Sequence, residues 1–382
     1  MNFELTEKHQ LVRRSIRNFA EKKIAPHAAM MDKEARILPE ILEELSKMNL
    51  WGILIPEKYG GAELDTLSYI ITIEEISRIC ASTGLTLTVH NALGASTLYK
   101  WGNEEQKERF LFDLTSGKKI IGFSLTEPNA GSDARGIESL AIEDRNYFVL
   151  NGSKIFVTNS EIGSVFLVAT RYQTNDGQEG MAIMIVEKEM EGYELGPKED
   201  KMGMRGNQTR SLYFNNIRVP KENILGQIKD GFKIAMETLD FGRIGIAAQA
   251  LGIAQAAYEH SVEYSKGRIQ FKKPISQFQG ISFKLAEMAT AIDAARLLVY
   301  RTAHLRDLNK NFSKESAMCK LYASKVARKT SQEAIQIHGG YGYMKDLPLE
   351  RYYRDAKICE IYEGTSEIMK LIIANQILRG NI

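Results

Sequence analysis

The chain has 382 residues, of which 44% are hydrophobic and 26% charged, and carries a formal net charge of +2. This composition belongs to a folded protein of two or three domains and excludes a disordered or fibrous chain. Basic residues interleave with acidic ones, as in NEEQKERF at 103–110, which argues against a nucleic-acid partner, and no apolar run approaches the roughly 20 residues of a membrane span.

From Leu5 to about Gly117, apolar residues recur at three- and four-residue spacing. LTEKHQLVRRSIRNFAEKKIAP predicts a helix stopped at Pro26, and ILPEILEELSKMNLWGI and LSYIITIEEISRIC predict two more. After TSGKK the texture changes. IIGFSLTE, YFVLNGSKIFVTN, SVFLVATR, AIMIVEK and SLYFNNIRVP are short, β-branched or aromatic, and read as strands. The helical period returns near Lys229. Its Ala-rich stretch is apolar on most sides around 244–257, as expected of a helix buried among helices. The expected class is α+β in three domains: all-α at 1–120, a β domain at 121–228 and a helical bundle at 229–382. Cys80, Cys319 and Cys359 lack CxxC spacing, which fits neither a disulfide framework nor a zinc site. The start, MNFELTEKHQ, has no basic segment followed by an apolar one, so a soluble cytoplasmic protein is expected.

Five stretches could carry chemistry. FSLTEPNAGSD (123–133) reads as a β-turn centred on Pro128 and Asn129, or as Gly131 and Ser132 offering donors to an oxygen-rich ligand. It lacks a phosphate-loop lysine, and no GxGxxG follows a strand. NGSKIFVTN (151–159) predicts a hairpin turn at Asn151-Gly152. Phe156 and Thr158 then share one face, as core or as a platform for a planar ring. In LDFGRIG (239–245), Asp240 and Arg243 stand at i and i+3, forming an intrahelical pair or lining a polar cleft. In QIHGGYGY (336–343), Gly339-Gly340 suits a helix C-cap or a close approach to a ligand, and His338 has no metal-spaced partner. In ICEIYEGTSEIMK (358–370), Glu363 and Gly364 interrupt two apolar segments. Helix punctuation is the simple account, with Gly364 or Thr365 as N-cap and Glu363 or Glu367 facing the helix dipole. No HExxH or GxSxG occurs, and no metal site is expected.

Taken in this order and spacing, LTEPNAGSD, NGSKIFVTN, LDFGRIGIAAQALG, the R-x-QF of Arg268–Phe271, QIHGGYGY, RDAKI and IYEGTSEI resemble the acyl-CoA dehydrogenase family of flavoproteins. The resemblance covers essentially the whole chain and points to the short-chain, butyryl-CoA type. It implies an N-terminal helical domain, a middle small β-barrel or sheet domain, a C-terminal four-helix bundle and FAD. The implied reaction converts a short-chain acyl-CoA to trans-2-enoyl-CoA, Glu363 taking the α-proton while a hydride passes to flavin N5. The backbone N–H of Glu363 would hold the thioester oxygen together with a flavin hydroxyl. Burial beside Tyr362 would raise the carboxyl pKa from about 4.3 toward working pH.

The same resemblance implies the remaining roles. Leu125, Thr126, Ser132, Phe156 and Thr158 would line the flavin, with Thr365, Ser366 and Glu367 near it. Arg268, Gln279, Gln336, Gly339 and Gly340 would reach the adenosine half of an FAD bound mainly by a neighbouring subunit. A homotetramer, as a dimer of dimers, and an electron-transferring flavoprotein as electron partner follow from it. Ser132, Asp240 and Arg243 would meet the CoA, Gln249 would floor the acyl pocket, Tyr362 would border it, and Gly364 would leave room beside the base. Some positions depart from the family pattern: Ser160-Glu161 replaces Gly-Gly, Lys272 replaces the Gly of QFGK, and Gly242 stands where isovaleryl- and long-chain types carry their Glu. The alternatives are an enoyl-CoA reductase in an electron-bifurcating complex, or a dehydrogenase for a branched, cyclic or aryl-bearing acyl-CoA.

Overall fold

A computed structural model describes residues 4–380. Seven helices form the N-terminal region: α1 (Glu7–Phe19), α2 (Ala28–Glu34), α3 (Pro39–Lys47), α4 (Thr66–Ile79), α5 (Ala81–Thr88), α6 (Ser96–Trp101) and α7 (Glu104–Thr115). The side chains of Thr6, Asp65 and Asn103 accept from the N–H groups of His9, Ser68 and Gln106, which fixes where α1, α4 and α7 begin. Pro26 does not stop the first helical run as expected. The chain widens into a π turn at Ala20–Ile24, tightens into a 3-10 turn at Ala25–His27 and re-enters α2. That change of pitch accommodates the donor that proline lacks.

The middle region is one sheet of β1 (Ile121–Ser124), β2 (Leu140–Asp144), β3 (Tyr147–Thr158), β4 (Val165–Gln173), β5 (Glu179–Glu187), β6 (Tyr193–Lys198) and β7 (Thr209–Pro220). Its order is β1-β4-β2-β3-β7-β6, with β5 also paired to β4. β1 and β2 run parallel to successive parts of β4, and the other pairings are antiparallel. Both faces of β4 and β5 are covered. Val165, Leu167, Ala169, Ile183 and Ile185 join the helical core, while Phe166, Val168, Ala182, Met184 and Val186 alternate into a second core within the β domain. Two-sided burial is why these strands read as unbroken apolar runs. β2 and β6 escape a pattern reading because LAIED and YELGPK mix charges with a Gly-Pro pair.

Asn151-Gly152 is not a hairpin turn. It lies inside β3, where the register with β7 slips between Leu150 and Gly152. Gly152 has φ +140°, and a Cβ there would fall 2.6 Å from the Ser139 Cβ. The β2–β3 hairpin turns instead next to Arg145, at φ 55°. A bulge and a tight turn both call for a permissive backbone, so the dipeptide alone did not separate them.

The C-terminal region comprises α8 (Gly231–Gly267), α9 (Gln279–Asp307), α10 (Ser313–His338), α11 (Leu349–Ile358) and α12 (Ser366–Leu378). α8 runs for 37 residues, and every position from Phe241 to Ala254 is buried. Helices α4, α5, α9, α10 and α11 surround it. None of the described helices is long and apolar enough to cross a membrane.

Candidate active site

Glu363 lies in the short connection between α11 and α12. Thr365, not Gly364, is the N-cap of α12, its side chain accepting from the Ile368 N–H at 3.3 Å. The two residues before it are both left-handed, Glu363 at φ 53° and Gly364 at φ 95°. At φ 95° it is the backbone of Gly364 that calls for glycine; a Cβ there would lie 2.6 Å from Met369 Cε, the movable end of a flexible side chain. For Glu363 the left-handed backbone costs roughly 1–2 kcal/mol, a strain of the kind that concentrates at functional sites.

This turn presses the carboxylate onto α8. A Cβ on Gly242 would come 2.9 Å from Glu363 Oε2 and 2.6 Å from Leu93 Cδ2, so only glycine leaves the space the carboxylate occupies. Residue 363 as a whole is half-buried, yet its Oε2 is sealed from solvent and has no hydrogen-bond partner among the described residues. Burial pushes the carboxyl up to about 7, against the opposing pull of the Arg243 and Lys320 charges. Arg243, itself buried, donates from Nε to the Glu363 carbonyl at 3.2 Å and from Nη1 to Asp240. Asp240 and Arg243 are therefore an i,i+3 pair that also faces the Glu363 turn. Burial raises the Asp240 carboxyl pKa, with Arg243 pulling the other way.

Two turns further along α8, Gln249 is fully buried. Its Nε2 donates to the Ala81 carbonyl at 2.7 Å and faces Met204 Sδ at 3.6 Å, while its Oε1 accepts from the Tyr362 hydroxyl. Gln249 thus ties α8 to the start of α5 and to the residue preceding Glu363.

On the β domain, Pro128 and Asn129 form the expected turn, with Glu127 and Ala130 exchanging backbone hydrogen bonds at 3.0 and 3.1 Å. Gly131 and Ser132 beyond it are exposed, and Leu125 and Thr126 before it are half-buried. Phe156 is not core. It has φ 57°, is 61% exposed, and stands where the β3–β7 register slips a second time, between Lys154 and Val157. Thr158 is half-buried two residues on.

Beneath this segment, Lys154 and Glu127 form a buried ion pair that sequence reasoning missed. Lys154 Nζ also donates to the Leu125 carbonyl at 3.2 Å, and Glu127 accepts from the Ser139 N–H at 3.1 Å. The available signal was period-two alternation, which puts Lys154 on the inward side of β3 with Phe148 and Leu150. A second missed cluster joins Asn207 Nδ2 to Asn159 Oδ1 at 2.8 Å and to Thr86 Oγ1 at 2.7 Å.

Arg268, Gly339 and Gly340 line a different feature, an open groove of about 710 Å³ shared with Tyr264, Phe271 and Tyr341. Gly339 ends α10 at φ 58°, and a Cβ on Gly339 or Gly340 would meet nothing within 4 Å. Gln279 and Gln336 are exposed and do not line the groove. His338 is buried, hydrogen-bonded from Nδ1 to the Ala334 carbonyl at 2.7 Å and stacked on Tyr264. Ser366 Oγ reaches the Glu360 carbonyl at 3.4 Å, and Glu367 is exposed.

Residues 6–118, 122–217 and 229–378 match the family models for the N-terminal, middle and C-terminal domains of acyl-CoA dehydrogenase. The chain is 48% identical over 376 residues to an acyl-CoA dehydrogenase of Bacillus subtilis, spanning 98% of this chain and 99% of that protein. It resembles the solved butyryl-CoA dehydrogenase of Megasphaera elsdenii with a TM-score of 0.96 and 44% identity, over 99% of this chain and 100% of that one. It resembles, with a TM-score of 0.97, 44% identity and the same coverage, a chain solved in work on the electron-transferring flavoprotein of Acidaminococcus fermentans and flavin-based electron bifurcation.

Proposed function

The chain belongs to the acyl-CoA dehydrogenase family, flavoprotein oxidoreductases acting on a CH–CH bond, and on that footing we propose that it desaturates a short-chain acyl-CoA with Glu363 as base. The Glu363 carboxylate carries the assignment, because its Oε2 is sealed and without a hydrogen-bond partner among the described residues, and burial pushes its pKa up to about 7. An α-C–H beside a thioester is a very weak acid, and a base with a pKa near working pH is better matched to it than an ordinary carboxylate. The backbone N–H of Glu363 is the protein donor proposed for the thioester oxygen, where it would act on the negative charge that develops there. Asp240, Arg243 and Ser132 border the CoA in this reading, and Tyr362, Gly364 and Gln249 border the acyl group.

The family's cofactor is FAD, and the chain fits it. Phe156 turns an exposed ring outward from a strained backbone, beside the Leu125–Thr126 segment that Lys154 holds from below. Gly339 and Gly340 leave open backbone in a groove large enough for a nucleotide. Bound FAD supplies the acceptor for the β-hydrogen, transferred as hydride. Leu125, Thr126, Ser132, Phe156 and Thr158, with Thr365, Ser366 and Glu367, orient the ring system in this reading. Arg268, Gln279, Gln336, Gly339 and Gly340 serve an adenosine half bound mainly by a second copy. Phe271, which lines the same groove as Arg268, Gly339 and Gly340, is 89% exposed, an apolar side chain that such a copy would cover. We therefore propose a homotetramer, a dimer of dimers, with an electron-transferring flavoprotein as electron partner. The three free, buried thiols suit a reducing cytoplasm. Diluting the holoprotein until it dissociates should release FAD, which gel filtration monitored at the flavin band reads directly. A monomer keeping one FAD per chain would contradict the shared site.

The reading is tested by anaerobic addition of butyryl-CoA, which should bleach the yellow protein. Chain length should depend on Gln249. The first methylene to meet the floor gains about 0.8 kcal/mol, whereas displacing packed atoms costs about 1–3 kcal/mol, so a closed floor at Gln249 selects against acyl chains long enough to reach it. Gln249→Gly should raise kcat/KM for octanoyl-CoA relative to butyryl-CoA, and an unchanged ratio would remove Gln249 from the pocket. Likeness to the chain from the Acidaminococcus fermentans work supports a second reading, reduction of an enoyl-CoA within an electron-bifurcating complex. The same residues serve it, Glu363 then returning the proton.

A further inference from the structure

Lys320 is fully buried on α10, yet its ammonium donates to the backbone carbonyl of Gly364, at 2.6 Å, and not to a carboxylate. Burying a lysine without a carboxylate partner is costly, and burial pushes this one down to about 8. Arg243, from the other side, donates to the carbonyl of Glu363. Two buried cations from two helices therefore grip two successive carbonyls, those of the two residues in left-handed conformation. The arrangement opposes relaxation of the turn and fixes the carboxylate against Gly242.

We propose that Lys320 is a positioning residue for the base: through the Gly364 carbonyl it locks the Glu363–Gly364 turn, and its charge helps set the pH at which Glu363 works. The proposal rests on Glu363 being the base. The charged and titratable groups facing Glu363 are Arg243 on α8, Lys320 on α10, Tyr69 on α4 and the adjacent Tyr362. The groups facing Lys320 are Cys359, Glu360, Glu363 and Arg243. Removing a nearby positive charge destabilises the carboxylate and raises its pKa.

Lys320→Met removes both charge and donor, and Lys320→Gln keeps a donor without charge. With butyryl-CoA, Lys320→Met should reduce flavin about tenfold or more slowly, with the midpoint of the rate–pH profile moved up by about one unit. Lys320→Gln should recover part of the rate while keeping the upward shift. A crystal structure of Lys320→Met should show residues 363 and 364 leaving the left-handed region. A rate within twofold of wild type at an unmoved midpoint would overturn the proposal, as would failure of both variants to accumulate as folded flavoprotein, since Lys320 would then be a packing element. Glu363→Gln separates the two ideas: if it still reduces flavin, the base assignment fails. If it is inactive while Lys320→Met behaves as wild type, only the role of Lys320 fails.

Discussion

Glu363→Gln is expected to slow anaerobic flavin reduction by butyryl-CoA at least about 10³-fold while the protein stays yellow. Glutamine keeps the size of the side chain, and so the fit against Gly242 and Leu93, but has no basicity. The α8 position that packs against the Glu363 carboxylate carries no carboxylate of its own, because residue 242 is glycine, and the nearby Asp240 is paired with Arg243. The same substitution should be neutral or stabilising for the fold at pH 8. The folded-state pKa of Glu363 is raised, so the folded chain binds more protons than the unfolded chain between the ordinary carboxylate range and about 7, and stability falls as pH rises through that window. Removing the ionisable group should return roughly 1–3 kcal/mol above that window. Thermal unfolding of both proteins at pH 5 and pH 8 checks the sign, and a variant less stable at pH 8 would contradict it.

The second large effect is expected at the Glu127–Lys154 pair. Glu127→Ala leaves a buried ammonium uncompensated, for which a loss of about 3–5 kcal/mol is typical. The lysine also supports the Leu125 carbonyl, so flavin content should fall with stability. Joint replacement, Glu127→Gln with Lys154→Met, should recover much of the loss, because the desolvation of both charges disappears with them. Denaturant unfolding followed by fluorescence, together with the flavin-to-protein absorbance ratio, tests both statements. Equal stability of Glu127→Ala and wild type would show that water reaches the lysine.

Much of this was legible in the sequence for identifiable reasons. The Ala-rich run around 244–257 announced a helix enclosed on all sides, and α8 is buried continuously from Phe241 to Ala254. The strands with unbroken apolar runs were visible because both their faces are covered. β2 and β6 were not, because charged residues interrupt their alternation. Glu363 stood out as an interruption, but its left-handed backbone and its contact with Gly242 join positions more than a hundred residues apart. Local pattern carries no such information. The same holds for Lys320, whose type suggests a solvated surface and whose burial is decided by tertiary packing.

The most direct measurement is the rate of anaerobic flavin reduction by saturating butyryl-CoA in rapid mixing, followed from pH 5.5 to 8.5. The proton must move to an ionised Glu363, so the rate should be lost as pH falls through about 7 and level off above it. A profile flat across that range in the wild-type protein would contradict Glu363 as the base.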